Sequence, residues 1–162
     1  MRLRAAAGER RRSLTVAVRY FAYGSNMDLV QMDGRCPGAR VIGLARLPGF
    51  RIAFVTDLAG YDGGVATIVA DDASDVRGVL WEIDDDHLAA LDEWEAYPVA
   101  YDRHPITVHA PEPVEALVYV ARFSSPEPPS DRYLAGILRG LEANGVDAEY
   151  ATLIRRLAGR DG

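Results

Sequence analysis

Two short stretches of this 162-residue chain carry residue types and spacings suited to chemistry. The first is Tyr20-Phe21-Ala22-Tyr23-Gly24-Ser25-Asn26-Met27, where a predicted strand runs into a Gly-Ser-Asn turn and then a helical start. Such a junction gathers unpaired backbone N–H groups on one small concave surface. Gly24 lets a ligand approach the backbone with no Cβ in the way, and Ser25 and Asn26 add side-chain donors. Together they suit a carboxylate or the oxyanion of a tetrahedral intermediate. The same composition also serves any strand-to-helix turn with an N-cap, so the loop needs a reactive partner before it reads as a site.

The second stretch, the predicted helix Asp84–Glu95, supplies that partner. At about 100° per residue, with Leu88 at zero, Leu91 falls near ~300° and Glu95 near ~340°. Glu95 therefore sits inside the Leu88/Leu91 stripe, flanked by Trp94 and Asp92, while Glu93 points away. A carboxylate on a core-facing stripe in the last turn of a helix is disfavoured as an ion twice over. Desolvation raises its pKa, and the negative end of the helix dipole pushes the same way. A glutamate tuned so is a general base for work near neutral pH. The competing structural reading pairs Glu95 with an arginine, or lets it leave the helix end before Pro98.

Other reactive residue types are poorly placed. His104 and His109 are five apart and face opposite sides of a strand, so they cannot share a metal. His87 stands alone in a helix first turn, and the Asp71/Asp72/Asp75 and Asp84–Asp86 clusters lack calcium-loop spacing and read as turn and cap residues. Cys36, the one cysteine, excludes an internal disulfide and a cysteine zinc site, and no histidine partners it. Ser25 is not in a G-x-S-x-G elbow. The chain has no lysine, which excludes Schiff-base and P-loop lysine chemistry. No metal and no cofactor are expected.

The elements that must position these residues are mostly short β runs: Val16–Ala22, Val41–Leu47, Arg51–Val55, Val65–Ala70, Val76–Ile83, Ile106–His109 and Glu115–Ala121. Pro105 places the sixth at an edge or starts it there. Helical periodicity covers Asp84–Glu95, Ser130–Leu141 (ending at Asn144-Gly145) and Asp147–Leu157, with a short helical turn after Asn26. Strands at this spacing favour a small barrel or strongly curled sheet. The chain reads as one α+β domain over residues 16–162, preceded by an Arg-rich flexible tail over residues 1–15.

Composition narrows the partners. With 49% apolar and 26% charged residues the chain is ordinary globular material. From Tyr20 onward 12 arginines face 23 acids, a net of −11, and such a body repels nucleic-acid phosphates. No apolar run approaches the roughly 20 residues that cross a bilayer, and the Arg-rich start lacks the apolar core of a secretory signal. The expectation is a cytoplasmic protein, monomer or homodimer, with a small-molecule partner, no nucleic acid and no membrane.

The loop Tyr20–Met27, followed by Leu91-Asp92-Glu93-Trp94-Glu95, resembles the γ-glutamylcyclotransferase family, within the avirulence-induced-gene-like superfamily. The resemblance spans roughly residues 18–157. It includes Gly63-Gly64-Val65-Ala66-Thr67, Gly78-Val79-Leu80-Trp81, Pro128-Pro129-Ser130 with Tyr133, Asn144-Gly145 and Tyr150. It implies a closed or nearly closed mixed β-barrel of about five to seven strands with flanking α-helices, and a cofactor-free reaction. In that reaction the α-amine of a γ-glutamyl amide attacks its own γ-carbonyl and 5-oxoproline is released. By the same resemblance Glu95 is the catalytic acid/base, and Tyr20, Phe21, Ala22, Tyr23, Gly24, Ser25, Asn26, Gly64, Tyr101 and Tyr133 bind substrate.

Departures bear on the substrate. Tyr-Gly-Ser-Asn differs from the Tyr-Gly-Ser-Leu of the glutathione-specific branch and the Tyr-Gly-Thr-Leu of the γ-glutamylamine branch. The segment from Glu95 to Tyr101, with Pro98, is one residue shorter than in animal enzymes, at the expected pocket rim. Three readings follow: a cyclotransferase for γ-glutamyl amino acids or peptides, one that strips a γ-glutamyl protecting group from an amine natural product, or a non-catalytic small-molecule-binding member. Fold and motif alone do not choose among them.

Overall fold

The computed structural model describes residues 17–58 and 62–160. Its strands are β1 (Val18–Ala22), β2 (Arg40–Val55), β3 (Val65–Ile83), β4 (Tyr101–His109) and β5 (Pro113–Ala121). Its helices are α1 (Leu29–Arg35), α2 (Asp85–Trp94), α3 (Asp131–Ala143) and α4 (Ala148–Leu157). The strands close into a barrel in the order β1-β3-β2-β4-β5. Four of the pairings are antiparallel, and β1 meets β5 in parallel at Tyr20↔Leu117, so the barrel is mixed. The Arg-rich tail, and Val16 of the first predicted strand, lie outside the described residues.

Seven β runs become five strands because two breaks read from the sequence are irregularities within strands. Pro48-Gly49 does not end β2: the register jumps from Pro48↔Asp75 to Phe50↔Ala70 and pairing resumes. Gly49 takes φ +83, which an L side chain would resist. Residues 71–74 arch out on the facing strand, where Asp71 accepts from the N–H of Ala73 (3.1 Å) and the Ser74 hydroxyl (2.8 Å). The turn chemistry is present, but it shapes a bulge. β4 likewise starts at Tyr101, ahead of Pro105. It pairs with β5 along its whole length but with β2 at Arg46↔His109 alone, leaving an open side on which a missing N–H is tolerated.

The helix starts follow their caps. Asp84, Ser130 and Asp147 accept from the N–H groups of His87, Tyr133 and Tyr150, satisfying donors that a helix leaves orphaned. His87 completes a capping box: its Nδ1 accepts from the Asp84 N–H (3.1 Å), and its Nε2 therefore donates to the Pro37 carbonyl (2.7 Å). The helix α3 stops at Asn144-Gly145, with Gly145 at φ +76.

Phe21, Leu80, Val79, Val108, Leu91, Ile137, Leu141 and Ile154 are fully buried in one continuous core, each contributing about 1.5–3 kcal/mol. What matters for the site is where α3 lies. A Cβ at Gly140 would stand 2.6 Å from the Cβ and carbonyl carbon of Met27, so only glycine permits the approach. Beside it Asn144 Nδ2 donates to the Met27 carbonyl (3.0 Å), and Arg139 donates to Asp28 Oδ2 (3.1 Å). Asp28 in turn caps α1 through the Val30 N–H (3.2 Å). The 20s loop is thus braced from behind.

Candidate active site

At the end of β1 the chain makes one turn of 3₁₀ helix, Ser25–Met27. The N–H of Met27 returns to the Gly24 carbonyl (3.1 Å) and that of Asp28 to the Ser25 carbonyl (3.0 Å). Ser25 and Asn26 are first in the turn, where N–H groups lie outside its internal hydrogen bonds. Both residues border a small pocket with a cavity volume of about 30 Å³. Tyr20, Tyr23, Gly24, Ser25 and Asn26 line it, together with Glu95, Tyr101 and Tyr133.

Three residues expected to bind substrate are not in that lining. Phe21 is 0% exposed on the opposite side of β1, as strand alternation requires. Ala22 is buried in the β1–β3 ladder opposite Val79. Gly64 stands behind the wall that its neighbour Val65 forms: its N–H donates to the Pro128 carbonyl (2.9 Å), and a Cβ there would lie 1.9 Å from the Glu127 carbonyl oxygen. It is a glycine for the sake of backbone packing. Asn26 is in the lining, with its side chain also hydrogen-bonded to Tyr20, Gln31, Arg35 and Glu95.

Glu95 is the C-cap of α2, half-buried, with Leu91 of its own helix fully buried and Trp94 51% exposed. The Asn26 Nδ2 donates to Glu95 Oε1 (3.2 Å) and to the Tyr20 hydroxyl (2.9 Å). Burial pushes the Glu95 carboxyl up to about 7. The Arg35 guanidinium pulls against this, the Asp57 carboxylate adds to it, and the Asn26 hydrogen bond opposes it. The carboxyl is poised between its two protonation states at neutral pH. Past Glu95 the chain turns out through Ala96 (φ 48) and a cis Tyr97–Pro98 bond.

Phenols make up much of the remaining wall. The Tyr101 hydroxyl donates to the Ala66 carbonyl (2.8 Å), and the Ala66 N–H donates to the Tyr133 hydroxyl (3.0 Å). Tyr23 donates to the carbonyl of Tyr119. Tyr119 donates to Asp92 Oδ1 (2.7 Å), and Arg103 donates to Oδ2 of the same carboxylate. Burial raises the Tyr20, Tyr23 and Tyr101 hydroxyls well above the usual phenol range, so all three keep their protons.

Sequence reasoning missed Arg35, Asp57, Trp94 and Tyr119 as pocket residues. Arg35 had a readable signal: it lies one helical turn from Gln31, and both reach back to the loop. Its guanidinium also packs 4.4 Å from the centre of the Trp94 ring. Asp57 and Tyr119 had none, since only barrel closure brings them near Glu95. Cys36 is buried with its thiol pushed up to about 11, consistent with an inert packing residue. Among the described residues no group of three or more histidine, cysteine or acidic side chains is placed to hold a metal. None of the described helices is long and apolar enough to cross a membrane.

A closed mixed barrel carries, in one concave pocket, a carboxylate of raised pKa, the 3₁₀ turn after β1 and several protonated phenols, an arrangement suited to a small molecule. Residues 20–136 match the family described as gamma-glutamyl cyclotransferase, AIG2-like, and the chain belongs to that family. A gamma-glutamylcyclotransferase of Bos taurus is 30% identical over 149 residues, covering 88% of this chain and 79% of that protein. That of Homo sapiens is 30% identical over 150 residues with the same coverage. A solved gamma-glutamyl cyclotransferase structure superposes with a TM-score of 0.80 at 28% identity, covering 86% of this chain and 87% of that one.

Proposed function

We propose that this chain is a γ-glutamylcyclotransferase that releases 5-oxoproline from a γ-glutamyl amide, with Glu95 as the acid/base. The observation that carries the reading is the place of Glu95: half-buried, raised to about 7, and hydrogen-bonded to the loop that faces the ligand. Ring closure is intramolecular, so a pocket that holds the glutamyl chain folded gains about 7–11 kcal/mol from geometry. Proton traffic is then the remaining work. The Glu95 carboxylate takes a proton from the α-ammonium, and the freed lone pair forms the new C–N bond at the γ-carbonyl carbon. The protonated Glu95 gives that proton to the departing nitrogen as the old C–N bond breaks. The second proton shed by the ring nitrogen follows the same route or passes to solvent. Ser25 and Asn26, first in the 3₁₀ turn and in the pocket lining, supply backbone N–H groups suited to a carboxylate or to the developing oxyanion.

Incubating the protein with a panel of γ-glutamyl amino acids, peptides and amines, and assaying 5-oxoproline, tests the reading. Release from at least one class is expected, and the pattern across the panel identifies the leaving amine. No 5-oxoproline from any member would overturn it.

A further inference from the structure

The side chain of Asn26 is the hub of the pocket. Its Oδ1 accepts from Gln31 Nε2 (2.9 Å) and from Arg35 Nη1 (3.0 Å), both on the inner side of α1. Guanidinium nitrogens only donate, so the atom facing Arg35 has to be the amide oxygen. The amide orientation is thereby settled by chemistry, and the NH₂ group must point at Tyr20 and Glu95. Gln31 strengthens the same arrangement and ties Ser25 in through its hydroxyl (2.9 Å). Nothing on the Glu95 side fixes this direction, because both a phenol and a protonated carboxyl accept as well as donate.

We propose that Arg35 is a positioning residue of the reaction: by holding Asn26 Oδ1 it keeps the Asn26 NH₂ donating to Glu95, so that the carboxylate form of Glu95 is available as the base. This rests on the catalytic reading of Glu95. The groups that face Glu95 are Arg35 from α1, Asp57 after β2, and the hydroxyls of Tyr20, Tyr23, Tyr101 and Tyr119 from β1, the loop, β4 and β5. Of these Arg35 is the cation, and both its charge and the hydrogen bond it orients favour the ionised carboxylate. Without it only Gln31 holds Oδ1, and that amide can itself turn because its other partner, the Ser25 hydroxyl, donates as well as accepts. Asn26 can then turn its oxygen toward Glu95, where a protonated carboxyl would be favoured instead.

The test uses Arg35→Met, which keeps an apolar stem against Trp94, with Arg35→Lys and Asn26→Ala for comparison. In R35M the acidic limb of kcat/KM is expected to move to higher pH, with a loss of up to roughly 10²-fold on the acid side that narrows as pH rises. R35K is expected to bring the limb part of the way back. Combining R35M with N26A should cost less than the two separate losses together, since one acts through the other. Carbon-13 titration of the Glu95 carboxyl in the ligand-free protein reads the same shift without turnover. A uniform loss with the limb unmoved, or full additivity of R35M and N26A, would overturn the proposal. An active E95Q variant would instead remove the reading of Glu95 on which it stands.

Discussion

The amide of Asn26 and the carboxylate of Glu95 meet at 3.2 Å although 69 residues of chain separate them. The loop and the helix end are two halves of one device. Glu95→Gln keeps the shape and hydrogen-bonding capacity of the side chain but cannot carry a proton between nitrogens. We expect it to bind γ-glutamyl ligands and lose at least about 10²–10⁴-fold in kcat. Single-turnover assays of 5-oxoproline with a parallel binding measurement check this.

The pH dependence follows from the environment of Glu95. With its carboxyl raised to about 7, activity that requires the carboxylate should rise through neutrality, giving an acidic limb of kcat/KM near that value. Asp57 adds to the rise. Asp57→Asn removes a negative neighbour, so the limb should move to lower pH. A pH series on both proteins reads the direction, and a limb moving the other way would refute this electrostatic assignment.

The same carboxyl links stability to pH. Its folded value lies above the ordinary one, so its stabilising share is full below about 4.5 and is lost as pH rises through about 7. Above that the folded protein must keep an ionised carboxylate partly out of water, a cost of roughly 3 kcal/mol. Glu95→Gln should therefore melt higher than the unmodified protein at pH 9, and the advantage should shrink as pH falls from about 7 and be gone below about 4.5. Thermal melts across that range test it.

Gly64→Ala should act on the frame rather than the chemistry. Its Cβ would fall 1.9 Å from the Glu127 carbonyl oxygen, so the 125–129 segment has to shift. A loss of about 1–3 kcal/mol is expected from such overpacking, read as a lower denaturation midpoint.

The sequence was most legible where local chemistry decides. The helix starts at Asp84, Ser130 and Asp147 and the stop at Asn144-Gly145 are set by hydrogen bonds a few residues long, and the structure begins and ends these helices there, with all three side chains as N-caps. Glu95 lies beside buried Leu91, as helical angles require, because a helix fixes directions rigidly. Strand limits were less legible. Pro48-Gly49 and Pro105 are breakers by type, yet a bulge and an open strand side absorb them. The far wall of the pocket was invisible, since Asp57 and Tyr119 reach it through barrel closure. So was the engagement of Asn26: a side chain that looks like a free ligand donor in sequence is occupied by Gln31, Arg35, Tyr20 and Glu95.

The brace behind the 20s loop bears on how short a working version of this protein can be. The family match covers residues 20–136, but Arg139, Gly140 and Asn144, which press on Met27 and Asp28, come after it. A truncation at that boundary would retain every pocket side chain while removing the buttress that sets their spacing. The minimal catalytic unit therefore extends at least through the end of α3, and damage to that distal helix should register as lost turnover before it registers as lost barrel.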